Sequence, residues 1–482
     1  MKHSDIGLIG LAVMGQNLVL NMADHGYRVS VYNRSFEKTD TFIKTRVEER
    51  DIIGFDALEA FVSSLSRPRK VMMMVKAGSV VDELITQLTP YLETGDILID
   101  GGNSLYTDTT RRTEALKAQG LIYIGTGISG GEEGARNGPS IMPGGNPEGW
   151  EAVKPIFQSI SAKVGTEACC DWVGEAGAGH YVKMVHNGIE YGDMQLIAEA
   201  YWVMRYGLGM SAEACHEQFA TWNKGVLNSY LIEITADLLS FKDSDGEPLI
   251  DKILDAAGQK GTGKWTGINA LQMGIPLSLI TESVYARCLS ALKEERVEAS
   301  SRYALTFEPN AVDHKVLLEA LHDGLYAAKI ISYTQGYMLM REASKEFKWN
   351  LNFGGIALMW RGGCIIRSAF LHEIKRAFDH NSELESLMMD DFFVQALSKA
   401  HLSWRKSVSF AISEGIPVPA MSSALAFFDG YRAKNVSANM IQAQRDYFGA
   451  HTYERIDAPR GKRFHTDWIA SGGNVSSSSY EV

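Results

Sequence analysis

Short apolar runs alternate with amphipathic stretches along the first third of the chain. The runs are Ile6 to Gly10, Arg28 to Tyr32, Val71 to Val75, Ile97 to Asp100 and Ile122 to Gly125. Between the first two, apolar residues recur at helical spacing, at Leu11, Met14, Leu18 and Met22, and Gly26 ends the predicted helix. Strands that alternate with helices indicate βαβ units and a parallel sheet.

After about residue 178 the strand pattern fades and long amphipathic stretches follow, over 179–206, 315–346 and 391–413. A tail from about residue 435 is richer in Gly, Ser and single charges. The pattern predicts an α/β Rossmann-type dinucleotide-binding domain, then a large all-α domain and a C-terminal tail that lies over a surface. The predicted bounds are 1–177, 178–434 and 435–482.

Composition and charge narrow the function classes. Of the 482 residues, 45% are hydrophobic and 22% are charged, as in ordinary globular proteins. The chain is longer than the size at which a single hydrophobic core stops growing, so we expect two or more folding units. A net charge of -11 argues against nucleic-acid binding and against docking on an anionic membrane. Neither a leader nor a long apolar segment is visible, so we expect a cytoplasmic protein. The five cysteines lack ligand spacing; a redox role for Cys169 and Cys170 is the weaker alternative to structural thiols.

A glycine-rich turn follows the first predicted strand. Gly7, Gly10 and Gly15 frame it, with Ala12 where the dinucleotide fingerprint usually has its middle glycine. A helix N-terminus at this turn suits a pyrophosphate, and a merely tight strand-to-helix turn is the alternative. The predicted cofactor contacts here are Gly10, Leu11, Ala12, Val13, Met14 and Gly15.

The end of the second strand indicates which dinucleotide binds. It reads Asn33, Arg34, Ser35, where an NAD enzyme usually places an acidic residue on the ribose hydroxyls. Arg34 can stack on adenine and, with its two neighbours, donate hydrogen bonds to a 2′-phosphate. We therefore predict NADP, against the alternative of an exposed loop arginine.

Further loops follow predicted strands and should lie beside the cofactor, at the carboxyl edge of the sheet. They are Val75, Lys76 and Ala77, and the segment from Asp100 to Asn103. A segment resembling a P-loop, Gly258 to Lys264, ends in Trp265 instead of Ser or Thr and follows an apparent helix from Leu249 to Ala257. We therefore reject nucleotide triphosphate binding and keep a flexible anion-binding loop.

The strongest chemical pattern lies at the start of the second domain. Lys183, His186, Asn187, Glu190 and Tyr191 share one helical face among apolar neighbours. A solvated surface stripe is the alternative. Desolvation or cationic neighbours would make the lysine a general base, and the glutamate would be an acid if kept protonated. Two such groups suit a reaction with two proton transfers.

A second glycine-rich segment, Gly125 to Gly131, provides small residues where backbone amides can meet a ligand carboxylate. A structural turn between the domains is the alternative.

The motifs together resemble the 6-phosphogluconate dehydrogenases, within the wider β-hydroxyacid dehydrogenases. They are GLIGLAVMGQNL, VKAG, IDGGNS, GISGGEEGAR, GHYVKMVHNGIEYGDMQL, AGQKGTGKW, ARCLSALKEER, GGIALMWRGGCIIRS and IQAQRDYFGAHTYER, in order along nearly the whole chain. The resemblance implies metal-free oxidative decarboxylation of 6-phosphogluconate to ribulose 5-phosphate with NADP. It implies that Lys183 takes the proton of the third-carbon hydroxyl and that Glu190 protonates the enediol.

The resemblance also implies the substrate contacts and the partner. The substrate contacts would be Asn103, Ser129, Gly130, Gly131, His186, Asn187, Tyr191, Lys260, Arg287, Arg445 and His451, with Asn103 also beside the cofactor. Their cations would let a net-acidic protein bind a phosphorylated sugar acid. In the family the last two reach the opposite subunit's site, so we expect an obligatory homodimer.

Departures from the family are few, and two rivals remain. Asn137 replaces a common aromatic, Ser35 a frequent threonine, and Ala470 and Ser471 stand where a glycine and a histidine are usual, which puts tail contacts with the cofactor in doubt. One rival is another β-hydroxyacid dehydrogenase that uses NAD and a small unphosphorylated acid. The other is a noncatalytic dimer that binds nucleotide as a sensor, but it predicts loss of Lys183 or Glu190.

Overall fold

The computed structural model describes residues 2–259, 261–303 and 313–469. The chain divides into two compact units, residues 1–424 and 425–482. Among the described residues, no helix is both long and apolar enough to span a bilayer.

The first unit begins with a Rossmann-type sheet. Its strands are β1 (Ile6–Ile9), β2 (Val29–Tyr32), β3 (Ile52–Phe55), β4 (Lys70–Met73), β5 (Ile97–Asp100), β6 (Ile122–Ser129), β7 (Ser140–Gly145) and, after the small hairpin of β8 (Lys163–Val164) and β9 (Glu167–Ala168), β10 (Gly174–Glu175). The order across the sheet is β10-β7-β6-β5-β4-β1-β2-β3. The pairs are parallel except β6 with β7. The carboxyl ends of β1, β4, β5 and β6 therefore meet at one edge.

The strands are buried on both faces because alternate residues belong to two cores. Leu8 and Met72 belong to the core on one side, and Ile9 and Met73 to the core on the other. This side-to-side alternation follows from the two-residue period of a strand. Helices cover both faces, which explains why the strands read as continuous apolar runs.

The helices around the sheet are α1 (Val13–Asp24), α2 (Phe36–Arg46), α3 (Leu58–Ser63), α4 (Ser79–Leu88), α5 (Tyr106–Lys117), α6 (Gly131–Asn137) and α7 (Trp150–Ile160). The following ones are α8 (Ala178–Trp202), α9 (Ala212–Trp222), α10 (Tyr230–Ser240), α11 (Thr262–Gln272), α12 (Ser278–Ser290), α13 (Lys293–Arg302), α14 (His314–Glu346), α15 (Phe353–Met359), α16 (Leu371–His380), α17 (Asp391–Ser413), α18 (Pro419–Arg432) and α19 (Ala438–Gly449).

The predicted fold class is confirmed: a parallel dinucleotide-binding sheet precedes a helical region. The three long stretches named from the sequence correspond to α8, α14 and α17. The helix expected from Leu249 to Ala257 was wrong. Only a 3-10 turn, Leu249–Lys252, forms there, and every residue from 251 to 257 is exposed, so no apolar face anchors a longer helix.

The helix that bears the chemical pattern, α8, is anchored in the core by a buried ion pair. Lys329 Nζ of α14 lies 2.5 Å from Asp193 Oδ2 of α8, and both side chains are almost fully buried. The Tyr333 hydroxyl donates to the Ile366 carbonyl at 2.6 Å and lies 3.4 Å from the same Asp193 oxygen. The pair therefore holds α8 in one position relative to α14.

The second unit is small, and Asp446 organises it. Besides α19 it contains a short antiparallel pair, β11 (Tyr453–Glu454) and β12 (Arg463–Phe464). The fully buried Asp446 carboxylate accepts hydrogen bonds from the backbone amides of Thr452 and Thr466, each at 3.0 Å, and from the Trp468 indole at 2.9 Å. These bonds lower the pKa of Asp446 against the opposing effect of burial, which is the largest contribution.

Candidate active site

The glycine-rich turn between β1 and α1 has the close approaches that a dinucleotide site requires. Gly10 has a φ of +104°, and a Cβ there would lie 2.4 Å from the Met74 carbonyl oxygen. A Cβ on Gly15 would lie 2.0 Å from the Gly10 carbonyl oxygen. Ala12 occupies the N-cap of α1 and its side chain makes no capping bond. The first backbone amides of α1 therefore point toward the turn, as an anionic phosphate would need.

The residues predicted to bind the 2′-phosphate lie beside this turn. The Leu11 amide donates to Asn33 Oδ1 at 3.1 Å, and Asn33 Nδ2 donates to the Ser35 carbonyl at 3.1 Å, which ties the turn to the end of β2. Arg34 and Ser35 are exposed, and Ser35 does not use its hydroxyl to cap α2 although it occupies the N-cap. The Arg34 guanidinium and the Ser35 hydroxyl, the groups expected to bind the 2′-phosphate of NADP, are therefore both exposed beside the turn.

The loop after β5 is held by a buried carboxylate. Asp100 accepts hydrogen bonds from the Gly102 amide at 3.0 Å, the Ser104 hydroxyl at 2.6 Å and the Tyr123 hydroxyl at 2.9 Å. Asn103 follows this turn and is exposed at the same sheet edge. Val75, Lys76 and Ala77 follow β4 at that edge as well, with Lys76 exposed.

Strand β6 lies unusually close to α8. A Cβ on Gly127 would lie 2.4 Å from the Cβ of Lys183, and a Cβ on Gly179 would lie 2.4 Å from the Gly125 carbonyl oxygen. Only glycine permits this contact, which brings the lysine next to Ser129 at the end of the strand. The segment from Gly125 to Gly131 therefore packs on α8 and adjoins the site, with both Gly130 and Gly131 at positive φ.

The polar residues of α8 are clustered in the interior and do not form a solvated stripe. Lys183 Nζ lies 3.2 Å from His186 Nδ1, and this histidine nitrogen also lies 3.0 Å from Asn187 Oδ1. His186 Nε2 lies 3.0 Å from Ser129 Oγ. Asn187 Nδ2 donates to the hydroxyl of Thr262 at 3.0 Å. The surface-stripe alternative was therefore wrong for Lys183, His186, Asn187 and Tyr191, all of which are buried.

Burial determines the protonation of the two basic groups. Desolvation lowers the pKa of Lys183, and the negative charge of Glu190 opposes this effect. Desolvation, followed by the charge of Lys183, lowers the pKa of His186 well below its usual value, so the imidazole is neutral. A lysine pKa lowered in this way favours the neutral amine that a general base requires.

Glu190 lies one turn further along α8, at the open side of the cluster. Its Oε2 lies 3.8 Å from His186 Nδ1, and its side chain is 23% exposed, whereas the histidine is fully buried. Next to it, the Arg287 guanidinium stacks on the Tyr191 ring at 3.6 Å from the ring centre. The cluster thus has a partly exposed carboxylate and a cation at its mouth.

The cluster as described does not include three of the predicted substrate contacts, Lys260, Arg445 and His451. Lys260 lies outside the described residues, as do Ala470 and Ser471. Arg445 and His451 belong to the second unit, where Arg445 Nη1 donates to Gln442 Oε1 at 2.8 Å. The lysine-rich segment that resembles a P-loop precedes α11, not a strand-to-helix turn in the sheet, which agrees with its rejection.

The sequence reasoning missed two members of the cluster, Thr262 and Cys364. Cys364 Sγ lies 2.8 Å from His186 Nε2. The side chain is buried, and burial raises the pKa of the Cys364 thiol to about 12. The cysteines in the described residues form no disulfide. Burial also raises the pKa of Cys169 to about 11, which keeps it a thiol and argues against the redox role considered for Cys169 and Cys170. Cys364 is 178 residues from the histidine, and no local spacing reveals the contact.

A Rossmann-type sheet, a glycine cradle at its carboxyl edge and a buried lysine on the first helix of an all-α region define a class: the dinucleotide-dependent dehydrogenases. Comparison with known proteins refines this class. A profile for the NAD binding domain of 6-phosphogluconate dehydrogenase matches residues 5–174, and one for the C-terminal domain of that enzyme matches residues 179–468. The chain belongs to the 6-phosphogluconate dehydrogenase family.

Relatives cover the full length of the chain. The human 6-phosphogluconate dehydrogenase, decarboxylating, is 57% identical over 485 residues and covers 100% of both chains. The Haemophilus influenzae protein of the same name is 59% identical over 479 residues, 99% of each. A solved structure of the Plasmodium falciparum 6-phosphogluconate dehydrogenase, studied in apo form and in complex with its cofactor NADP+ and its substrate 6-phosphogluconate, superposes with a TM-score of 0.93 at 46% identity, over 96% of this chain and 100% of that one.

Proposed function

We propose that this chain catalyses the NADP-dependent oxidative decarboxylation of 6-phospho-D-gluconate to D-ribulose 5-phosphate, with release of carbon dioxide and NADPH, in the oxidative branch of the pentose phosphate pathway. The observation that carries the proposal is the buried Lys183, held 3.2 Å from a neutral imidazole in a family whose relatives bear this activity in their names. Neither rival function accounts for the match of both family profiles along the chain.

Lys183 acts as the general base. Its neutral amine takes the proton of the third-carbon hydroxyl while the hydride of that carbon leaves to NADP, which serves as hydride acceptor. The resulting β-keto acid loses its carboxyl group as carbon dioxide, and the electron pair of the broken bond moves onto the ketone. The lysine, now protonated, returns its proton to that oxygen, so the amine is regenerated.

Glu190 acts as the acid that completes the reaction. The enediol left after decarboxylation must gain a proton on carbon and lose a hydroxyl proton to become the ketone. Glu190, which lies near His186 at the exposed side of the cluster, is placed to donate the first, and the regenerated amine of Lys183 takes the second. The base is buried and the acid is partly exposed, so the two groups meet different surroundings, as two opposite roles require.

The cofactor and the substrate are held by two sets of residues that share Asn103. The cofactor contacts are Gly10, Leu11, Ala12, Val13, Met14, Gly15, Asn33, Arg34, Ser35, Val75, Lys76, Ala77 and Asn103. The substrate contacts are Asn103, Ser129, Gly130, Gly131, His186, Asn187, Tyr191, Lys260, Arg287, Arg445 and His451. The arginine stacked on Tyr191 supports the placement of the substrate phosphate at the mouth of the cluster.

The active form is a homodimer in which Arg445 and His451 serve the opposite subunit. Support comes from the second unit itself. Large apolar side chains are exposed on and after α19, among them Phe448 at 71% and Met440 at 61%. A unit of this size that exposes so much apolar surface is typical of an arm that is covered by another chain. The organisation into domains 1–177, 178–434 and 435–482 and a cytoplasmic location complete the proposal.

The decisive experiment compares the wild-type protein with Lys183→Met. Purified protein is given 6-phosphogluconate with NADP or NAD, and the absorbance of the reduced cofactor is followed together with carbon dioxide release. We expect equimolar NADPH and carbon dioxide from the wild type. We expect Lys183→Met to bind NADP normally and to turn over at least about 100-fold more slowly, the lower range of general-base contributions.

Different failures have different meanings. Reduction without carbon dioxide would reassign the protein to the simple hydroxyacid dehydrogenases. Near-normal turnover by Lys183→Met would remove the proposed role of the lysine and leave the overall reaction intact.

A further inference from the structure

Cys364 is the one cysteine among the described residues that contacts the proposed catalytic cluster. Its Sγ lies 2.8 Å from His186 Nε2, nearer than Ser129 Oγ at 3.0 Å. The proposed chemistry uses the histidine only as a substrate contact and does not use the thiol. The thiol is therefore a functional group in the cluster without a role.

The backbone around Cys364 is fixed on both sides, so the thiol is held on the histidine. The Ser140 amide donates to the Gly363 carbonyl at 2.8 Å, and a Cβ on Gly363 would lie 2.1 Å from the Gly138 carbonyl oxygen. After the cysteine, the Ile366 carbonyl accepts from the buried Tyr333 hydroxyl at 2.6 Å. These contacts fix the backbone from which the Cys364 side chain projects toward Nε2.

The neighbours of the imidazole determine which nitrogen has the proton. Asn187 donates through Nδ2 to Thr262, so its Oδ1 faces His186 Nδ1 at 3.0 Å. An amide oxygen can only accept, and therefore Nδ1 carries the hydrogen. The other nitrogen, Nε2, then has a lone pair that needs a donor. The Cys364 thiol, kept protonated because burial raises its pKa to about 12, can donate to it.

This tautomer affects the lysine. Nδ1 lies 3.2 Å from Lys183 Nζ, and because its hydrogen is donated to Asn187 Oδ1 it has no lone pair to accept from an ammonium group. A neutral amine presents a lone pair instead. The Nδ1–H tautomer therefore favours the base form of Lys183. The Glu190 carboxylate, whose Oε2 lies 3.8 Å from Nδ1, is the charged group that opposes this effect.

We propose that Cys364 is a positioning residue that keeps His186 in the Nδ1–H tautomer and thereby keeps Lys183 in its neutral form. The inference rests on the proposed role of Lys183 as the base. Ser129 also reaches Nε2, but its hydroxyl is a proposed substrate contact and is engaged when substrate binds. Cys364 is then the donor that remains on the histidine throughout the reaction.

The test compares three variants by the pH dependence of kcat at saturating 6-phosphogluconate and NADP, because kcat reports the substrate complex in which Ser129 is engaged. Cys364→Ala removes the donor, Cys364→Ser keeps one, and Cys215→Ala removes a thiol that is equally buried but lies in α9, away from the cluster. In Cys364→Ala we expect the acidic limb of the profile to move upward by about one pH unit, with a rate about tenfold lower on that limb and recovery at high pH. Cys364→Ser and Cys215→Ala should keep the wild-type limb.

A purely structural role for Cys364 would give a different result. Loss of packing would lower the rate by a similar factor at every pH and leave the limb in place, and this outcome would overturn the inference. An equal effect of Cys364→Ser and Cys364→Ala would also overturn it. Cys364→Val supplies a second variant without a donor if Cys364→Ala does not fold.

Failure of this inference is distinguishable from failure of the proposed function. If Lys183→Met is inactive while Cys364→Ala keeps the wild-type limb, only the role of Cys364 is refuted. If Lys183→Met keeps its activity, the lysine is not the base.

Discussion

The buried ion pair between α8 and α14 yields a prediction about stability. Lys329→Met removes the ammonium but fills most of the same space. Asp193 Oδ2 then keeps only the Tyr333 hydroxyl at 3.4 Å, and Oδ1 has no hydrogen-bond partner among the described residues. Removal of one member of a buried pair leaves an uncompensated charge, so we expect the free energy of unfolding to fall by about 3–5 kcal/mol at neutral pH.

The size of this defect should depend on pH with a definite sign. Burial raises the pKa of Asp193 above its ordinary value of 3.8, against the opposing effect of Lys329, and without the lysine the pKa rises further. The folded protein then binds a proton at Asp193 more readily than the unfolded chain does. The loss relative to the wild type is therefore absent below the folded pKa of Asp193 in the wild type, grows by about 1.4 kcal/mol per pH unit between that pKa and the higher folded pKa of the variant, and is constant above it.

Urea unfolding followed by the helical circular dichroism signal, at several pH values, measures both effects. Lys345→Met is the matched control because Lys345 also lies on α14, in an exposed pair with Glu342 at 3.8 Å. We expect that control to stay within about 0.5 kcal/mol of the wild type. The double variant Asp193→Asn/Lys329→Met should recover most of the loss. A Lys329→Met protein as stable as the control, or a loss independent of pH, would refute the reasoning.

Three further predictions concern binding. Arg34→Ala should raise the KM for NADP by about 10- to 100-fold with little effect on NAD, because a charged hydrogen bond to the 2′-phosphate is lost; equal changes for both dinucleotides in initial-rate assays would count against the contact. Arg445→Ala should weaken 6-phosphogluconate binding at least about tenfold more than NADP binding in equilibrium titrations, and equal loss of both would indicate unfolding instead. Gly15→Ala should weaken NADP binding in the same titrations, since its Cβ would lie 2.0 Å from the Gly10 carbonyl oxygen; unchanged affinity would show that the turn tolerates the shift.

Regular patterns made the fold predictable. The strands β1, β2, β4 and β5 were found within a residue or two because each is a buried apolar run bounded by turn residues. By contrast, β3 and β7 were missed. β7 contains Pro143, Gly144 and Gly145, which sequence rules read as a turn, and only its pairing with β6 makes it a strand.

The site was predictable where its residues are close in the sequence. The face of α8 from Lys183 to Tyr191 follows from helical periodicity alone. Periodicity did not indicate whether that face was exposed to solvent or buried. Its burial depends on Gly127 of β6 and on Thr262 of α11, which come from distant parts of the chain.

The sequence by itself determined the strands β1, β2, β4 and β5 and the long helices α8, α14 and α17, because backbone conformation and amphipathic pattern are local properties. It also determined the chemical groups available and, through Asn33, Arg34 and Ser35, predicted the choice of dinucleotide. Only the tertiary structure decided which groups are dehydrated and which share a proton. The lowered pKa of Lys183 and the thiol on His186 arise from contacts between residues far apart in the chain, and desolvation depends on what surrounds a group in space.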